Sequence, residues 1–139
     1  MKTLALILSF IISGIIANAQ DTEGVSISVT IENISSNNGQ ILTALHTQET
    51  FMKGPGIQNY MNDAKEGSIT FNFENVKPGL YAISTLHDTN ENKQMDYDYS
   101  GMPTEKYGMS NSEMSMGPPT FQNAQFEVKE ENLEINIRL

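Results

Sequence analysis

Asp88, Asn90, Asn92 and Asp96 place side-chain oxygens at positions 1, 3, 5 and 9 of one short run, and Gln94 offers a backbone carbonyl at position 7. Calcium takes six to eight oxygen ligands at about 2.3–2.6 Å, and these offsets let a short loop encircle it. The fit to an EF-hand loop is partial. Position 6, where glycine permits the sharp turn, is Lys93, and position 12 is Tyr99 rather than a bidentate glutamate. Asp98 or Glu105 stands further along as a replacement ligand. With two carboxylates in the set, affinity belongs on the order of 10⁻⁴–10⁻³ M, as in extracellular modules, and magnesium, which prefers water and a rigid octahedron, fits less well. The competing account is a loop whose Asp and Asn side chains cap their own backbone and need no ion.

Other residues in the same stretch suggest different chemistry. His87 and His46 are the two histidines, and with no cysteine a transition-metal site needs both of them plus a carboxylate such as Asp88. A lone histidine at a strand end more often orients a loop by hydrogen bonding. Ser110 with His87 and Asp88 or Asp96 supplies the residue types of a hydrolytic triad, so a metal-dependent or serine-type hydrolase is the rival from another class. The surroundings of Ser110 lack the G-x-S-x-G elbow. Met95, Met102, Met109, Met114 and Met116 crowd the region; thioethers bind Cu(I), which makes copper handling a further alternative, and they also fill irregular gaps under long loops. Tyr81, Tyr97, Tyr99 and Tyr107 suit either a sugar- or peptide-binding face or the packing of the loop itself.

The elements that must position these groups read as strands. Residues 25–31 alternate with Val25, Ile27, Val29 and Ile31 on one face. Asn37, Asn38 and Gly39 mark a turn, and residues 41–47 form a second strand expected to return as a hairpin. Gly54, Pro55 and Gly56 interrupt the pattern, and residues 57–64 hold at most a turn or two of helix. Alternation resumes over 68–73; Pro78 and Gly79 turn the chain into a strand at 80–86 that delivers His87. Two further runs, 121–128 and 133–139, flank Glu130 and Glu131. Six strands are thus explicit, and about seven fill an antiparallel β-sandwich of immunoglobulin or transthyretin type. The connection from Asp88 to Pro119 is long for a compact domain, and loops of that length are generally functional or held in place.

Lys2, an apolar run over 4–16 and the small residues Ala17 and Ala19 form a secretory signal peptide over 1–19, with Gln20 the first mature residue and 20–139 a single domain. No later stretch is apolar enough to span a bilayer. Removing the leader takes one lysine and no acid, leaving seven basic against seventeen acidic residues, a net charge near −10 (7 − 17). Such a surface disfavours nucleic acid and anionic lipid and suits divalent cations or basic partners. Without cysteine the domain has no disulfide staple, so a core or a bound ion must hold it.

Taken together, Pro78, Gly79, Tyr81 and Ala82, then His87, Asp88, Asn90, Asn92 and Asp96, then Gly101, Pro103, Glu105, Tyr107, Gly108, Ser110 and Asn111 resemble the secreted bacterial family known as domain of unknown function 2141. Pro118 to Ala124 extends the likeness over nearly all of the mature chain. The family tends to carry glycine after each of the two asparagines, where this chain has Glu91 and Lys93. The resemblance implies a fold and a compartment and carries no activity with it. The expectation is a secreted or periplasmic non-enzymatic binding or structural module. Its metal candidates are Asp88, Asn90, Asn92, Gln94 and Asp96, its loop-organising residues His87, Glu105, Tyr107, Ser110 and Asn111, and its partner an envelope protein, a peptide or a glycan.

Overall fold

The structure, a computed structural model, describes residues 23–111 and 117–139. The expected leader at 1–19 and the methionines at 114 and 116 lie outside the described residues.

Among the described residues eight strands and one helical turn follow in order: β1 (Val25–Ile34), β2 (Gln40–His46), β3 (Gln58–Asp63), β4 (Gly67–Val76), β5 (Gly79–Asp88), β6 (Tyr107–Met109), α1 (Phe121–Ala124), β7 (Phe126–Val128) and β8 (Leu133–Arg138). They form two sheets, one in the order β4-β1-β8 and one in the order β3-β2-β5-β6, with β7 also paired to β5. This is an all-β sandwich. Its interior is built by period-two alternation: Ile27, Val29 and Ile31 of β1 are fully buried against Ile41 and Leu45 of β2 and Ile83 of β5 in one cluster. Each such side chain contributes about 1.5–3 kcal/mol through the apolar surface it removes from water.

Several expectations change. β1 and β2 are not a hairpin: β1 pairs with β4 and β8, and β2 with β3 and β5. The turn at Asn37–Gly39 instead carries the chain from one sheet to the other. Gly39 has φ 75°, and a Cβ there would stand 2.1 Å from the Asp88 carbonyl oxygen, so the crossing needs glycine. The three-stranded sheet is mixed, because β8 runs parallel to β1 from Ile27↔Leu133 to Glu32↔Arg138. Residues 58–63, read as part of a short helical stretch, are the edge strand β3, whose burial rests largely on Tyr60 stacked on Phe71 at 3.7 Å. An edge strand with one anchoring side chain leaves little alternation to read. The run at 121–128 divides into α1, capped by the Thr120 side chain, and the short β7.

A second, smaller cluster sits on the outer face of the five-stranded sheet, where Phe51, Ala82, Phe121 and Ala124 pack together with Met109 against them. It fixes α1 and β6 over β5.

Candidate functional site

β5 ends at His87 and Asp88, and alternation sends these two side chains to opposite faces of the sheet. His87, 1% exposed, donates from Nε2 to the Asn38 carbonyl at 2.8 Å and so clamps the turn that connects the sheets. Asp88 is fully buried and caps the loop that follows. Its Oδ1 accepts the Asn92 amide at 3.2 Å and its Oδ2 accepts the Lys93 amide at 2.7 Å. Both Glu91 and Lys93 have φ 60°, the left-handed conformation that turns these amides inward. Beside Asp88, its register partner Gln40 keeps a buried Oε1 with no hydrogen-bond partner among the described residues.

Asp96 is the second focus. Asn90 donates from Nδ2 to its Oδ2 at 2.6 Å, and Asn92 donates from Nδ2 to both oxygens at 2.9 and 3.0 Å. The Oδ1 atoms of the same asparagines accept backbone amides, Asn90 from Asn92 and Asn92 from Gln94. Three of the five predicted ligands, Asn90, Asn92 and Asp96, are therefore brought together. Asp88 is committed to backbone amides, and Gln94 takes part through its own amide. Among the described residues no three His, Cys, Asp or Glu side chains converge closely enough to hold an ion.

Residues 101–111 fold back over this loop. Glu105, buried, accepts from the Thr89 amide at 2.8 Å and the Thr89 hydroxyl at 3.3 Å through Oε1, and its Oε2 accepts the Asp96 amide at 3.4 Å. Between them a small hairpin is closed by Thr104 N to Asp96 O and Asp98 N to Met102 O, with Tyr97 bridged to Pro103. Asp98 fastens its tip: Oδ1 accepts the Ser100 hydroxyl and the Ser100 and Met102 amides, which holds its carboxyl below the usual range. Tyr97, Tyr99 and Met102 remain exposed around that tip.

The triad residues do not meet. The Ser110 amide bonds to the Ile83 carbonyl, whereas the His87 amide bonds to Lys106 O, so Ser110 stands opposite a backbone position about 13 Å along β5 from His87 at the usual rise per residue. Ser110 is fully buried; its Oγ donates to the Ala124 carbonyl at 2.6 Å and accepts the Ile83 amide at 2.8 Å. The two histidines are likewise separated. The register Ile41↔His87 and His46↔Ala82 sets them five residues apart, on opposite faces. His46 borders the outer cluster, where its ring contacts Ser84 Oγ at 3.0 Å and Thr50 Oγ1 at 3.2 Å and lies edge-on to Phe51. Burial pushes its pKa below the ordinary 6.5. Of the methionines, Met109 packs on the outer cluster and Met102 is exposed.

One feature was not foreseen from the residue pattern. A groove of about 1120 Å³ opens between β6 and β8, lined by Met102, Pro103, Lys106, Tyr107, Met109 and Asn111 on one side and by Asn136, Arg138 and Leu139 on the other, with α1 and Asn33 at its margins. No sequence signal announces it, because its walls come from segments far apart in the chain.

Comparison with known proteins gives one family. Residues 29–136 match the bacterial family described as "Uncharacterized protein conserved in bacteria (DUF2141)". No curated protein and no solved structure matches the chain.

Proposed function

We propose, for a chain that belongs to the DUF2141 family of bacterial proteins, a non-enzymatic role as a binding or structural β-sandwich module that works outside the cytoplasm. The observation that carries this reading is the commitment of the polar groups in residues 87–111. His87, Asp88, Glu105 and Ser110 are buried and each holds backbone groups in place, and Glu105, which borders the groove, has both oxygens bonded to loop amides. Such a loop is a rigid surface, and rigid surfaces bind with little ordering cost. A serine-directed fluorophosphonate is expected to leave Ser110 of the full chain unmodified, and labelling at that residue defeats the reading. Location outside the cytoplasm rests on residues 1–19. Protein recovered from the native host is expected to begin at Gln20, and an intact Met1 contradicts this part.

Calcium is a second proposal, favoured by two observations: Asn90 and Asn92 converge on Asp96, and Gln40 keeps a buried acceptor beside Asp88. As arranged, the two asparagines present N–H groups to Asp96, which cannot ligate a cation. Rotating both amides exchanges donor for ligand without moving the backbone. Millimolar calcium is then expected to raise the melting temperature, and Asp96→Asn to remove the rise. An unchanged wild-type melt leaves the loop to its own hydrogen bonds and ends the calcium proposal.

A further inference from the structure

The groove lies where β6 meets β8, and its hydrogen-bonding groups are mostly uncharged. The carboxamides of Asn33, Asn111, Asn123 and Asn136 line it, with the hydroxyls of Thr120 and Tyr107. The charged side chains there are of both signs, Lys106 and Arg138 against Glu105, so no single sign selects what enters. No strand edge is on offer either. Gly108 packs so closely on β8 that a Cβ there would lie 2.8 Å from the Arg138 carbonyl oxygen, and recognition therefore falls to side chains.

Two of the carboxamides are tethered. Asn33 donates from Nδ2 to the main-chain oxygen of Leu139 at 2.6 Å, and Asn111 donates from Nδ2 to the Gln125 carbonyl at 3.3 Å; neither Oδ1 has a partner among the described residues. Asn136, exposed on β8, has its whole side-chain amide unpaired among the described residues. An amide carries both donors and lone pairs, so it answers a ligand group that both donates and accepts, as a hydroxyl does. Apolar surface stands next to these amides. Tyr107, 43% exposed, lines the groove with Met102 and Pro103. Pro103 is bridged to Tyr97, and partners across an antiparallel bridge share a face, which sets the exposed Tyr97 ring beside that wall.

We propose that this groove binds a neutral oligosaccharide, whose ring C–H faces lie on Tyr107 and Tyr97 while its hydroxyls pair with the amides of Asn111 and Asn136. A sugar chain alternates apolar faces with hydroxyl edges, and the lining sets tyrosine and proline beside carboxamides in the same way. Tyrosine gives a large amphipathic contact at little cost in side-chain freedom. At about 1120 Å³ the groove lies just above the roughly 300–1,000 Å³ of a site for one small ligand, which leaves room for several sugar units in a row. The inference rests on the reading of the protein as a binding module and names its ligand class.

The test uses the full chain, with the NMR signals of its asparagine side-chain amides as the readout. The probes are neutral hexasaccharides: cellohexaose, maltohexaose, mannohexaose and the N-acetylglucosamine hexamer. At least one is expected to shift the Asn111 and Asn136 signals saturably at millimolar concentration. Tyr107→Ala and Asn136→Ala are each expected to weaken that binding roughly tenfold, and Tyr107→Phe, which keeps the ring, to preserve it. Both positions are exposed, and unchanged circular dichroism shows that the variants fold. No shift with any of the probes overturns the proposal. Binding that survives both Tyr107→Ala and Asn136→Ala puts the sugar elsewhere and overturns the site. Preference for hexagalacturonic acid over every neutral probe overturns the neutrality. A capped peptide of glycine, serine and threonine that shifts the same amides where no sugar does makes the groove a peptide site instead. A chain that binds no sugar and leaves Ser110 unlabelled loses this ligand and keeps the non-enzymatic reading, so the two failures are distinct.

Discussion

The buried carboxylate of Asp88 accepts the amide of Lys93 at 2.7 Å, and Lys93 reaches it in a left-handed conformation at φ 60°. One acid at the end of β5 therefore sets the direction of the whole following loop. Asp88→Asn replaces an acceptor with a donor facing an N–H, which leaves a buried amide without its partner. A loss of about 1–3 kcal/mol is expected in denaturant melts, without loss of the β-sheet circular dichroism.

Glu91 and Lys93 are non-glycine residues in a region of φ/ψ space that costs an ordinary side chain roughly 1–2 kcal/mol. Replacing either with glycine relieves that strain, although the unfolded chain gains freedom and offsets part of the benefit. Lys93→Gly is expected to be neutral or stabilising by up to about 1 kcal/mol, the reverse of a usual glycine substitution. A clear destabilisation in the same melt counts against the left-handed assignment.

Gly108 joins the two sheets at the rim of the groove. A Cβ placed there would lie 2.7 Å from Ile137 Cγ2 and 2.8 Å from the Arg138 carbonyl oxygen. Gly108→Ala is expected to push β6 away from β8 and to cost about 1–3 kcal/mol, as overpacking does. Tyr99→Ser, at a fully exposed tip, changes stability by no more than about 0.5 kcal/mol and serves as its control.

Strict alternation in β1 and the apolar run of β5 were legible because both faces of their pattern follow burial. The pairing of β1 was not legible, since the same alternation suits a neighbour in either sheet and either direction. The loop gave its oxygen-bearing residues by spacing, and Glu105 by its place in the longer motif. Which oxygens point at an ion and which at a backbone amide depends on side-chain rotation, to which spacing is blind. The separation of Ser110 from His87 follows from the register of a three-residue strand, too short to be seen as a pattern.

His46 connects burial to pH. Its ring is enclosed by Phe51, Ser84 and Thr50, and desolvation lowers its pKa from the ordinary 6.5. The unfolded chain takes up a proton near 6.5 while the folded chain resists it until lower pH, so the unfolded state binds more protons in between. Stability is fully present above 6.5, falls as pH drops through that value, and levels off below the folded pKa. Thermal melts from about pH 7.5 to about pH 5 are expected to show this decline, above the range where carboxylates titrate. His46→Gln keeps a polar group beside Ser84 and cannot be charged, so its melting temperature is expected to vary less over the same interval. A variant that tracks the wild type throughout assigns the decline to another group and removes His46 from the account.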